Sequence, residues 1–127
     1  MTKEYSPYYD FDKDYIRGIE GEGEIKKILC GKLEVKTDFY TVLTGNICIE
    51  FESRGLPSGI STTEADWWVF NLVKMDMVLM INVYKLKALF NYFKKKDGFR
   101  ELGDKKTSKC VLIPIDEMIK LLRRKNT

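Results

Sequence analysis

Two stretches decide how this sequence is read: Leu33-Glu34-Val35-Lys36-Thr37-Asp38 and Asn46-Ile47-Cys48-Ile49-Glu50-Phe51-Glu52-Ser53. Both alternate with a period of two. Leu33, Val35 and Thr37 fall on one side of the first, with Glu34, Lys36 and Asp38 on the other. Ile47, Ile49 and Phe51 oppose Cys48, Glu50 and Glu52 in the second. Such alternation marks half-buried strands. Thr44-Gly45-Asn46 supplies turn chemistry between them, so an antiparallel hairpin with a loop of moderate length is predicted. On that hairpin the charged residues of both strands share one surface, where cross-strand Cβ atoms stand about 4.5–5.5 Å apart. Carboxylates that close repel one another unless neutralised, and a divalent cation neutralises them most directly. The bland alternative is a solvated outer face.

Around the hairpin the elements alternate in type. An arm of 15 or so residues with four tyrosines precedes a helix predicted from Ile19 to Cys30–Gly31, whose Ile25, Ile28 and Leu29 recur at helical spacing. Past the hairpin come a glycine- and proline-marked loop (Arg54–Ile60) and a short helical turn capped by Thr62 or Thr63 that carries Glu64 and Asp66. Trp67–Val73 and Met77–Ile81 are apolar runs of strand length. Val83–Lys95 reads as a helix with Leu86, Leu89, Phe90 and Phe93 on its apolar side. Lys94–Lys109 is a basic loop or exposed hairpin, Cys110–Ile115 a last strand, and Asp116–Lys125 a closing helix. Helices at both ends of a mixed sheet predict one α/β or α+β domain over residues 1–127, with 1–15 as an arm and 16–127 as the core.

Composition narrows the chemistry. The chain has 127 residues, a formal charge of +3, three cysteines and no histidine. Without histidine there is no Ser-His-Asp or Cys-His triad and no HExxH zinc site. Carboxylates, lysine, tyrosine or cysteine must carry any catalysis. Cys30, Cys48 and Cys110 are scattered and form no CxxC pair, which points to a reducing cytoplasm and gives the thiols no evident part. The polar, aromatic start is unlike a signal peptide, and the longest apolar stretch, near residues 77–83, is too short to span a bilayer. Residues 91–127 carry a net +6 and residues 1–90 a net −3. That asymmetry suits an acidic metal-binding body with a basic, polyanion-binding end; on charge alone, a solvated helical face plus a lysine-rich loop is the simpler account.

Glu22 lies three residues before Ile25 and seven before Leu29, near the edge of the helix's apolar stripe. Two readings are open for it: a metal ligand, or a helix-start glutamate favoured by the macrodipole. A helix glutamate, then LEVKTD, then a loop with TGN, then IEFES resembles the PD-(D/E)XK nuclease superfamily. The continuation into RGLPSGISTTEADWW resembles its small phage-type members, and the likeness covers residues 18–73. It implies a restriction-endonuclease-like core, Mg²⁺ (with Mn²⁺ able to substitute) and hydrolysis of nucleic-acid phosphodiesters, DNA foremost, in the cytoplasm, or the host cytoplasm for a viral protein. Asp38 matches the lone acid, Glu50 the first acid of the acid-x-Lys pair, and Glu22 the helix glutamate. Glu52 stands where lysine is usual, so Lys36 or Glu52 orients the attacking water. A second register takes Glu34-Val35-Lys36 as the pair, but no acid lies shortly upstream.

The expected metal ligands are thus Asp38, Glu50 and Glu22, with Lys36 and Glu52 completing the catalytic set. Ser58, Thr62 and Thr63 lie in a loop whose hydroxyls and amides suit a phosphate, or which is an ordinary turn. Lys94, Lys95, Lys96, Arg100, Lys105 and Lys106 form a basic cluster suited to a nucleic-acid backbone. One of Trp67 and Trp68 belongs to the core, and the other is free to stack on a base or to pack. Cleavage of two strands needs two sites, which makes a homodimer a natural option. The rival is a non-catalytic nucleic-acid-binding protein that keeps the fold.

Overall fold

The computed structural model describes residues 11–124. The expected tyrosines 5, 8 and 9 of the arm, and Lys125 of the closing helix, lie outside them. Contacts divide the chain into two units, Met1–Lys32 and Leu33–Thr127. The first holds helix α1, Phe11–Leu29, with Asp12 and Asp14 in its first turn and Lys26 and Lys27 in its last, charges that suit the helix dipole. The helix starts eight residues before the predicted Ile19. Residues 11–15 are helix rather than arm, since an acidic first turn stabilises a start that apolar spacing alone does not reveal.

The second unit is mixed α+β, as expected. Its elements run β1 (Leu33–Asp38), α2 (Thr41–Thr44), β2 (Asn46–Ser53), β3 (Leu56–Pro57), a 3₁₀ turn (Gly59–Ser61), β4 (Trp67–Leu72), β5 (Met77–Asn82), α3 (Val83–Asp97), β6 (Arg100–Leu102), a second 3₁₀ turn (Asp104–Lys106), β7 (Ser108–Pro114) and α4 (Ile115–Arg124). The strands make two sheets. One is mixed, in the order β1-β4-β5, with β1 parallel and β5 antiparallel to β4. The other is antiparallel, in the order β3-β2-β7-β6.

This topology corrects the predicted hairpin. β1 pairs with β4, and β2 pairs with β7 and β3. A short helix fills the connection instead: Asp38 accepts from the amides of Tyr40 and Thr41, and Gly45, in the left-handed region (φ 73°), stops the turn with its N–H on the Thr41 carbonyl. The predicted helical turn after Thr62 is corrected too. The turn comes earlier, at Gly59–Ser61, and Thr63 caps no helix; its hydroxyl accepts from the Ala65 amide and Trp68 Nε1.

Ile47, Ile49, Val111 and Ile113, cross-strand neighbours on β2 and β7, are wholly buried. Val83, Leu86, Leu89, Phe90 and Phe93 form the buried stripe of α3. Asn82 caps that helix by accepting from the Tyr84 and Lys85 amides. Trp68, Phe70 and Leu72, alternate residues of β4, complete one apolar core.

Candidate functional site

The face that β1 turns inward is its charged one. Parallel pairing sets Glu34 beside Trp68, Lys36 beside Phe70 and Asp38 beside Leu72, all three partners buried, while Val35 is 62% exposed. The sequence suggested the opposite orientation. β1 is an edge strand, so its inward face meets the rim of the core, where long or bonded charged side chains keep partners. Lys36 Nζ lies 4.8 Å from the centre of the Trp68 ring and 3.7 Å from Glu34 Oε1. Glu34 Oε2 is 3.4 Å from the Thr63 hydroxyl, which accepts from Trp68 Nε1 at 3.0 Å. Trp68 is therefore core with its N–H satisfied.

Asp38 is held more tightly. Its Oδ1 accepts from Tyr40 N (2.9 Å) and Thr41 N (2.8 Å), and its Oδ2 from the Thr41 hydroxyl (2.6 Å). That hydroxyl also lies 2.9 Å from the Asn46 carbonyl, tying the end of β1 to the start of β2. Such a carboxylate is fixed in position before any ligand arrives.

A cavity of about 590 Å³ opens here. Lys36 and Asp38 from β1, Phe70 from β4, Cys48 from β2 and Leu112 from β7 line it, so both sheets contribute walls. Cys48 and Cys110 hydrogen-bond through their thiols. The Cys48 thiol is pushed far above its ordinary range by that bond first, then by desolvation and by the negative charges around it, Asp38 and Glu50 among them. Cys110 is lowered by the same bond, against its own burial and the Glu50 carboxylate. The thiol of Cys48 thus stands within electrostatic reach of both acids matched by the resemblance. Glu50 is fixed by Ser58, whose hydroxyl donates to Oε2 at 3.0 Å.

Glu52 does not join them. The register between β2 and β7 slips at Phe51, so that Glu50 pairs with Cys110 but Glu52 pairs with Lys109. Successive residues of β7 face opposite ways, and the bulge therefore turns Glu52 to the other side of the sheet from Glu50. There its Oε2 meets Lys109 Nζ at 2.9 Å. The even alternation of the sequence hides this extra residue. Glu22 belongs to α1 in the N-terminal unit, and the site is built from residues of the second unit alone.

Among the described residues no three His, Cys, Asp or Glu side chains form a metal-holding group. A hard cation such as Mg²⁺ asks for less: one or two carboxylates, with water and substrate phosphate supplying the rest. Asp38, held in the cavity wall, is an oxygen donor of that kind, and Glu50, held by Ser58, is a second one on the sheet face that carries Cys48.

The other expected binding residues are dispersed. Thr62 is exposed and its hydroxyl lies 3.5 Å from the Gly59 carbonyl. Lys94, Lys95 and Lys96 form the last turn of α3. Lys94 covers Phe51 and Phe90, and Lys96 pairs with Glu117 at 3.2 Å. Arg100 lies on β6, and Lys105 and Lys106 in the second 3₁₀ turn. Among the described residues Lys95, Arg100, Lys105 and Lys106 make no salt bridge. Sequence reasoning missed Cys48, Thr41 and the aromatic pair Phe39-Tyr40, although Asp38-x-x-Thr41 was a legible turn signal.

No family model matches this chain, no curated protein matches it, and no solved structure matches it. No helix among the described residues is long and apolar enough to cross a membrane.

Proposed function

We propose that the cavity is the site of a metal-dependent phosphodiesterase acting on nucleic acid, DNA foremost. The supporting observation is the immobilised carboxylate of Asp38 in a cavity wall beside Lys36, with Glu50, held by Ser58, on the sheet face that carries Cys48, which also lines the cavity. Asp38 and Glu50 would hold Mg²⁺, or Mn²⁺ in its place. Bound there, the ion supplies Lewis acidity at the phosphoryl oxygens and acidifies water. The protein's own part is positioning and electrostatics. Thr41 and the Tyr40 and Thr41 amides fix one carboxylate, and Ser58 fixes the other. Lys36 keeps its ammonium at the rim by stacking on Trp68, where it attracts the phosphate and orients the attacking water. Glu52, neutralised by Lys109 on the other face, is left out of this set. Lys95, Arg100, Lys105 and Lys106 offer free positive charge for the backbone of the nucleic acid.

The test is hydrolysis of single-stranded, double-stranded and branched DNA with Mg²⁺ or Mn²⁺. Asp38→Asn keeps an acceptor for the two amides and so preserves the turn, while removing the charge. We expect it to lose roughly 100-fold or more in rate with its melting temperature little changed. Equal rates for this variant and the parent protein defeat the reading.

A second reading, a nucleic-acid-binding protein without catalysis, draws on the saturation of Asp38 by three donors and the capture of Glu52 by Lys109. Calorimetric titration with Mn²⁺ separates the two. Binding that disappears in Asp38→Ala/Glu50→Ala favours the enzyme, and no binding favours the rival.

A further inference from the structure

The turn that fixes Asp38 has a second effect on the same cavity. By accepting from the amides of residues 40 and 41, Asp38 folds the chain back sharply, and the two residues at the bend are aromatic. Phe39 is 59% exposed and Tyr40 is 73% exposed, yet both line the cavity. Phe70, 1% exposed, and Leu112 give it an apolar inner lining, and Lys36 is the cation in its wall. Its volume lies in the range of small-molecule sites, about 300–1,000 Å³. Exposed aromatic side chains beside an apolar recess make a surface suited to a flat, apolar ligand.

On the nucleic-acid reading above, which this step rests on, we infer that the cavity takes one unpaired nucleobase, stacked against Phe39 and Tyr40 with its phosphate toward Lys36, so that the preferred ligand is single-stranded DNA. A base in continuous duplex is held inside the stack and cannot enter. Duplex would present only its phosphates to this face and leave the apolar lining wet. An unpaired base exposes both ring faces, and every base has a face to stack, so the recognition is tolerant of sequence. The lining supplies few polar groups with which to read a base edge, in keeping with that tolerance. The carboxylate-fixing turn and the stacking wall are one piece of chain, so a base seated on Phe39 and Tyr40 brings its phosphate next to Asp38.

The test uses the full chain and a 12-nucleotide single strand carrying one 2-aminopurine, compared with the same strand fully paired, with Ca²⁺ in place of Mg²⁺. We expect the single strand to bind roughly tenfold or more tightly than the duplex and its fluorescence to be quenched by stacking. Phe39→Ser/Tyr40→Ser should weaken single-strand binding by roughly tenfold or more and abolish the quenching. Restoring one ring, as Phe39→Ser/Tyr40→Phe, should recover part of both. The substituted side chains are exposed, and circular dichroism melting checks that the fold is kept. Equal affinity for the two forms, an unaltered affinity in the double serine variant, or no binding to either form overturns the inference. Hydrolysis with Mg²⁺ is scored apart. Duplex cut and bound as well as single strand overturns the inference and leaves the phosphodiesterase reading standing. Selective single-strand binding without hydrolysis does the reverse.

Discussion

Thr41 is 1% exposed and the sole buried polar residue among those described. Its hydroxyl joins the Asp38 carboxylate to the Asn46 carbonyl, so one oxygen bridges two strands that never pair with each other. Thr41→Val preserves shape but removes the hydroxyl whose single proton these two acceptors share. It should cost about 1–3 kcal/mol in urea denaturation and, on the proposed function, lower the rate of hydrolysis, because Asp38 is then less fixed. Cys48 carries a different prediction. Its thiol is raised from the ordinary value of 9.0, first by its bond with Cys110, so it stays neutral as pH rises through that value. Only the thiolate alkylates. At about pH 9 iodoacetamide should therefore label Cys48 more slowly than Cys30, although both residues are exposed, as read by peptide mass spectrometry. Equal labelling of the two would contradict the assigned environment.

At the scale of elements, β2 shows how one inserted residue reassigns a side chain. Glu50 and Glu52 look equivalent in the sequence, and the bulge at Phe51 sends one to the cavity side and the other to Lys109. The loop after β2 is fastened just as locally. Gly59 adopts φ +55°, and a Cβ there would collide with the Glu50 carbonyl. Gly59→Ala must displace either the 3₁₀ turn or the strand, and it also places a side chain in a conformation that costs about 1–3 kcal/mol. We expect a loss of at least that size in the unfolding free energy from denaturant titration and, on the proposed function, weaker metal binding at Glu50, because Ser58 moves with the turn. The stripe of α3 was readable from the sequence, since helical spacing is a local property. The partners of β1 and β2 were not: alternation says that a strand has two faces and is silent on which distant strand it meets.

For the molecule as a whole, the charge asymmetry acquires a structural meaning. Part of the basic third is already engaged, Lys94 over Phe51 and Phe90, Lys96 with Glu117 and Lys109 with Glu52. Lys95, Arg100, Lys105 and Lys106 make no salt bridge among the described residues and are, on the proposed function, the charges left for a polyanion. Changing these four to glutamine should flatten the dependence of log affinity for single-stranded DNA on log salt by about three, measured by fluorescence anisotropy between low and moderate salt. An unchanged slope would remove this surface from the binding model.

The sequence by itself determined the α+β class, the strand and helix periodicities and the exclusion of histidine chemistry, because each depends on residue type or on spacing of a few positions. Tertiary structure alone decided that β1 joins β4, that its charged face is the inward one, that Glu52 turns away from Glu50, and that Cys48, Tyr40 and Lys36 meet at one cavity. Each of those outcomes is fixed by long-range pairing and by which face the core can bury, and neither is written in the period of a single strand.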